Sequence, residues 1–240
     1  MARLISPPVG LGIVSAEPLS GPRSVGASRT ESIGAFVQTV ASPFGLWRWQ
    51  FSFPAMNGSL FRRYRGWITA LHGGANATRW PFFDPDAMSF HEAGVDASNF
   101  EIATGVPWSN DEPWLNGENW AINRPVVTVA AAAALGDTQI SLADEWWGHS
   151  LDVGDYIGFT PFHLGLYTVT QVIEPGTYRI WPSLRKALTT ADFATLSPTL
   201  ALRLESEEAA SAGRGLVVAD SLSATFVEVL DYDVRDYFAD

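Results

Sequence analysis

Residues 44–53 read Phe44-Gly45-Leu46-Trp47-Arg48-Trp49-Gln50-Phe51-Ser52-Phe53. The large rings of Trp47, Trp49, Phe51 and Phe53 alternate with Arg48, Gln50 and Ser52. A period of two places the rings on one face of a pleated strand and the polar groups on the other. Aromatic side chains fit such a half-buried pleat. This stretch predicts a β-rich chain with a ring-lined core.

Downstream, residues 56–71 predict the one clear helix. Met56, Leu60, Tyr64, Trp67 and Leu71 form a stripe at helical spacing, Asn57 or Ser59 can cap its start, and His72-Gly73-Gly74 stops it. Upstream, residues 1–30 are rich in Pro, Gly and Ser and read as an extended arm that orders on a neighbour. Residues 78–124 form a long aromatic excursion. From Val126 onward come short apolar runs at Val126–Val129, Gln139–Leu142, Tyr156–Phe159, Tyr167–Val172, Tyr178–Trp181 and Leu200–Leu204. Closely spaced strands without intervening helices predict a small antiparallel barrel or sandwich. Residues 205–214 read as a polar linker. The last strand, within Gly215–Leu230, buries Leu222, Ala224 and Phe226, and a bulge turns Val227 and Val229 inward around Glu228. No internal repeat is expected.

Composition narrows the functions. Hydrophobic residues make up 47% of the 240, charged ones only 17%. Such a chain buries a sizeable core, and low charge suits a surface covered by partners. The net charge is −11, and Lys186 is the only lysine among 15 basic residues. That field disfavours nucleic-acid binding. With no cysteine, disulfides, thiolate catalysis and Cys-ligated metals are excluded. No apolar run reaches the ~18 residues of a membrane span, and the N-terminus has no signal-peptide core. A soluble protein without a cleaved signal is the expectation.

Ten tryptophans are the strongest compositional signal. Trp108, Trp114 and Trp120, interleaved with Asn and acidic residues, have the composition of a sugar-stacking platform. The same rings could instead fill a core or an inter-subunit seam. Asp111, Glu112 and Glu118 could flank a glycosidic bond, although acids in a turn-rich segment are ordinarily solvated. His91-Glu92, Asp84, Asp86 and Asp96 match no zinc-helix or calcium-loop spacing, and His72, His91, His149 and His163 are scattered. Nucleophile-elbow, phosphate-loop and dinucleotide motifs are missing, so neither a catalytic residue nor a metal or other cofactor is assigned. Arg62, Arg63 and Arg65 give the helix a basic face, with Trp67 beside them. The face is either solvated with local ion pairs or a subunit contact that docks an acidic strip.

Three short segments carry a resemblance: Leu151-Asp152-Val153-Gly154-Asp155-Tyr156-Ile157, Leu166-Tyr167-Thr168-Val169 and Ile180-Trp181-Pro182-Ser183-Leu184-Arg185, followed by Ala191-Asp192 and Leu200–Leu204. In that order they resemble distal tail (Dit-like) proteins of long-tailed bacteriophages and phage-like particles. Phe61–Leu71, Gly73-Gly74 and Trp80–Phe83 are similar to the sheet–helix portion of the same family. The resemblance implies a mainly β protein: a barrel or sandwich ring domain with one helix, residues 1–125 with 213–240, and an inserted β-barrel, OB-like or galectin-like domain, 126–212. It also implies a structural virion protein of the tail tip, made in the host cytoplasm and not an enzyme. Such a protein forms a homo-oligomeric ring, a hexamer, that contacts tail tube and tail hub proteins and joins the tube to the receptor-binding apparatus. The alternative is a carbohydrate-binding or adhesin-like tail protein contacting host glycans.

Overall fold

The computed structural model describes residues 4–25, 30–31, 37–38, 41–82, 84–143, 150–161, 163–215 and 217–230, with backbone alone at 20–25, 30–31, 37–38, 41–44, 214 and 221. The chain is mainly β, with a closed six-strand barrel and a separate open sheet. The strands in chain order are β1 (Leu4–Ile5), β2 (Ser15–Val25), β3 (Thr30–Glu31), β4 (Val37–Gln38), β5 (Ala41–Phe53) and β6 (Ala77–Pro81). Then come β7 (Val127–Ala131), β8 (Gln139–Leu142), β9 (Tyr156–Thr160), β10 (His163–Glu174), β11 (Thr177–Trp181) and β12 (Phe193–Thr195). The last are β13 (Thr199–Leu204), β14 (Ala210–Arg214) and β15 (Ala219–Glu228). Helix α1 spans Gly58–Ala70 and the single-turn-scale α2 spans Asn99–Thr104.

The open sheet runs β1-β6-β13-β15-β5-β2, with β14 also paired to β15. Trp47, Trp49, Phe51 and Phe53 on β5 are all buried, as their alternation requires. They meet the buried face of α1, which presents Phe61, Tyr64 and Trp67. Phe61 takes the buried place expected of Leu60, a rotation of one residue around the helix. Edge-on and tilted ring contacts tie the layers together: Phe51 lies 4.7 Å from Trp80 and Trp67 5.9 Å from Phe226, centroid to centroid. Trp67 Nε1 donates to Thr78 Oγ1 at 3.3 Å, so this indole also satisfies its polar end. Asn57 caps α1 by position only, without a side-chain bond. After α1 the chain turns through Gly73 and Gly74, both left-handed. A Cβ at Gly74 would strike the Leu204 carbonyl oxygen, so the turn can sit against β13 only with glycine there.

The barrel order is β10-β11-β8-β7-β12-β9, closed by β9 pairing β10, and every pairing is antiparallel. Its interior holds Val127, Val129, Ile140, Ile157, Tyr167, Val169, Tyr178 and Ile180 among others. Leu200–Leu204 does not close this barrel. As β13 it pairs with β6 and β15 of the open sheet. Thr199 lies opposite Pro81, and the Phe82 amide donates to the Pro198 carbonyl at 2.9 Å. The inserted segment therefore begins after Pro81 and ends before Thr199, and carries both the aromatic excursion and the barrel. The expected boundaries at 126 and 212 move accordingly. Residues 210–214 are not a linker but strand β14. The N-terminal segment is likewise built in: β1 and β2 occupy the two ends of the sheet.

The expected bulge in the last strand is also absent. Between Leu222 and Val227, β15 pairs with β5 in unbroken register. Alternation simply continues, and Glu228 follows Leu222, Ala224 and Phe226 to the inside, 2% exposed. Its partner comes from the barrel. Arg185 Nη2 donates to Glu228 Oε2 at 2.7 Å and also to the Gly45 carbonyl, while the Trp47 amide donates to Glu228 at 3.1 Å. Trp47 returns the contact, its Nε1 donating to the Leu166 carbonyl of β10 at 2.8 Å. Burial pushes the Glu228 carboxyl up to about 7, against the pull of Arg185 and the Trp47 amide.

Removing one member of a buried pair strands the other charge. Arg185→Ala is expected to lower unfolding free energy by about 3–5 kcal/mol in urea denaturation, and the paired Arg185→Met/Glu228→Leu chain to recover most of it. The raised carboxyl also sets a pH dependence. An acid whose folded pKa exceeds its ordinary 4.5 gives stability that is full below 4.5 and lost as pH rises through about 7. Glu228→Gln lacks that slope, so its stability relative to the parent chain should rise between those two pH values.

Candidate functional site

Trp67 is 4% exposed and belongs to the core under α1, so it is not a surface contact. Arg62, Arg63 and Arg65 are exposed on the outer face of the same helix. The register that turns Phe61, Tyr64 and Trp67 inward turns these three outward.

The three other tryptophans singled out come together. Trp108, Trp114 and Trp120 are 44%, 41% and 50% exposed, with centroids 4.9, 5.5 and 4.8 Å apart and planes inclined by 58–72°. They are neither core nor isolated. The backbone that presents them is a tandem repeat that sequence reading missed: Trp108-Ser109-Asn110-Asp111-Glu112-Pro113 followed by Trp114-Leu115-Asn116-Gly117-Glu118-Asn119. Each unit makes the same bonds. The Trp amide donates to the Glu carbonyl four residues on, at 2.9 and 2.7 Å. The fourth residue donates back to the Trp carbonyl, at 2.8 and 2.7 Å. The Asn side-chain oxygen accepts from the Glu amide, at 3.3 and 3.1 Å. The fourth residue is left-handed in both, Asp111 at φ 62° and Gly117 at φ 82°. Aspartate tolerates that region better than most residues, which is why the first unit can do without glycine. The visible signal was Trp-x-Asn-(Asp/Gly)-Glu recurring at a spacing of six.

A reciprocal pair of backbone bonds between Val106 and Trp120, both 2.9 Å, clasps the base of the two turns. Gly105 beside it is left-handed, and a Cβ there would lie 2.5 Å from the Trp120 carbonyl oxygen. Helix α2 leads into the clasp. It starts at a capping box in which Ser98 Oγ accepts from the Glu101 amide and the Glu101 carboxylate accepts from Ser98. Those bonds hold the Glu101 carboxyl below its usual range. Between α2 and the first turn lies an open groove of about 910 Å³, lined in part by Phe100, Trp108, Ser109, Asp111 and Asn119.

The other candidates do not converge. Glu118 accepts from Asn116 Nδ2 at 2.9 Å within its own turn, and Asp111 and Glu112 are exposed. Glu92 caps a turn with Ser89, and Asp84 accepts from the Asp86 amide. Asp96, His72 and His91 are exposed, and His149 lies outside the described residues. Among the described residues, no three His, Asp or Glu side chains group as metal ligands. No helix there is long and apolar enough to cross a membrane.

His163 is the one buried histidine among those described, and it is structural. The Arg185 amide donates to the Tyr167 hydroxyl at 3.0 Å, and that hydroxyl lies 2.5 Å from His163 Nε2. Burial, with Lys186 adding to it, drives His163 down to about 3. The neutral ring therefore shares one hydrogen bond with the Tyr167 hydroxyl.

No protein-family model matches the chain, and no curated protein matches it significantly.

The clasp makes the indole cluster sensitive to Gly105. Gly105→Ala is expected to abolish the exciton signal of the coupled indoles in circular dichroism while leaving the thermal transition of the core within a few degrees. Asp111→Gly should preserve that signal, since glycine suits the left-handed position.

Proposed function

We propose that this chain is a structural virion protein of a phage tail tip and catalyses no reaction. In this reading it forms a homo-oligomeric ring, a hexamer, that joins the tail tube to the hub and receptor-binding apparatus. The observation that carries the reading is the architecture: a closed β-barrel inserted at one hairpin of an open, helix-backed sheet. The sequence resemblance implies a two-part, discontinuous plan, and this architecture supports that reading with boundaries near 81 and 199. In place of the sandwich or galectin-like alternatives, the inserted unit is a barrel.

The charge layout supports self-assembly. The exposed Arg62, Arg63 and Arg65 cluster on the outer face of the middle of α1. The turn carrying Glu207 and Glu208 packs against Gly73 just past the end of the same helix. A basic patch on the helix and an acidic turn just past its end favour head-to-tail contact, and a heterologous contact closes into a ring when its rotation divides the circle. The end strand β2 offers a further backbone edge to a neighbour.

Negative-stain images and light scattering of the purified chain test this. A closed ring with a central hole is expected, and it should fall apart to monomers in the Arg62→Glu/Arg65→Glu variant while near-UV circular dichroism stays unchanged. A parent chain that remains monomeric at micromolar concentration and does not associate with tail particles would exclude the proposal.

A further inference from the structure

The tandem turns and the groove beside them form a surface apart from the Arg62, Arg63 and Arg65 face on which the proposed ring assembly rests. Three indoles sit in contact on a loop fixed by two identical hydrogen-bonded turns and one backbone clasp. Ordering a bare loop would cost binding energy, whereas this one is ordered before any ligand arrives. Trp108 and Phe100 of α2, the latter 74% exposed, both line the groove. Among the described residues, the Ser109 hydroxyl and the Asp111 carboxylate have no hydrogen-bond partner in the chain, and both line the same groove.

We propose that this groove binds a neutral, pyranose-containing glycan, with sugar faces stacking on Trp108 and Phe100 and ring hydroxyls bonding Ser109 and Asp111. The ligand class follows from three features. Two exposed aromatic rings line one groove, which suits the alternately apolar and hydroxylated faces of a sugar. Asp111 in the groove, with Glu112 and Glu118 nearby in a chain of net charge −11, repels uronates, phosphates and sialic acids. The indoles also touch one another, at 4.8–5.5 Å between centroids, and so enclose no cage for a quaternary ammonium. A protein partner is the poorer fit, because charged groups are depleted in the core of protein interfaces.

The test is an array of neutral and anionic bacterial polysaccharides and free oligosaccharides, probed with the full-length chain, with phosphocholine as a separate probe. Binding to one or more neutral glycans is expected. It should weaken at least about tenfold in Trp108→Ala and in Phe100→Ala. Asp111→Gly, which keeps the left-handed backbone and removes the carboxylate, should weaken it while leaving the indole exciton signal intact. Binding confined to anionic glycans or to phosphocholine, no binding at all, or binding indifferent to all three substitutions would overturn the proposal. So would loss of self-association in Trp108→Ala, which would make the cluster a subunit seam. Ring images of the same variants keep the two proposals apart, since an intact ring without glycan binding counts against this one alone.

Discussion

The buried pair of Arg185 and Glu228 is the constraint around which the two β units are arranged. Their side chains are 2% and 0% exposed, so neither charge has water to fall back on. A carboxylate alone in that place would cost several kcal/mol, as would a guanidinium, and each is tolerable only because the other unit delivers its counterpart. The contact continues as a chain of polar bonds. From His163 in the barrel it runs through the Tyr167 hydroxyl to the Arg185 amide, then from the guanidinium to the Gly45 carbonyl and to Glu228, whose carboxylate also accepts from the Trp47 amide in the sheet. Hydrophobic contact could hold barrel and sheet together at many angles. A directional network of this kind admits one.

The apolar packing at the junction obeys the same geometry. Strand β10 enters the barrel wall with both faces covered: Tyr167 and Val169 point into the barrel, while Leu166 packs into the aromatic core of the sheet and Leu164 against Ala77, Ala201 and Val229. A strand covered on both sides buries consecutive residues instead of alternate ones, and His163–Tyr167 are buried without a break. Tyr156 completes the seam, with ring contacts to Trp47 at 5.8 Å and Phe82 at 5.4 Å. Insertion between adjacent strands β6 and β13 makes this possible. The two chain crossings lie side by side, so the barrel is tethered close to the surface it must meet.

How much of this was legible in the sequence depended on the range of the interaction. Residues 44–53 and the α1 stripe announce themselves because their periodicity is local and their partners are whichever apolar faces lie opposite. Glu228 was misread for the opposite reason. Its inward position is what alternation dictates, but a carboxylate inside is sensible only if a cation arrives from elsewhere, and Arg185 is 43 residues away in the chain. Strand β14, Ala-Ser-Ala-Gly-Arg, has almost no intrinsic strand character. It forms because β15 presents an open ladder. Leu200–Leu204 was assigned to its sequence neighbours, whereas its pairing partner β6 lies on the far side of the whole insertion.

The tryptophans divide along the same line. Trp47, Trp49, Trp67 and Trp80 are held by tertiary burial, and their positions follow from which faces of β5, α1 and β6 turn inward. Trp108, Trp114 and Trp120 are held by the loop's own backbone: an Asn oxygen, a left-handed fourth residue and a repeated amide–carbonyl pair fix the bases of Trp108 and Trp114, and the clasp with Val106 fixes that of Trp120. A loop that builds its own order in this way does not depend on the sheet for its shape. Leaving three large rings substantially exposed sacrifices the stabilisation their burial would provide, about 1.5–3 kcal/mol for a large apolar side chain. Core packing explains the first group, whereas the second packs only on itself and stays about half exposed, so the second is where a function beyond folding has to be sought.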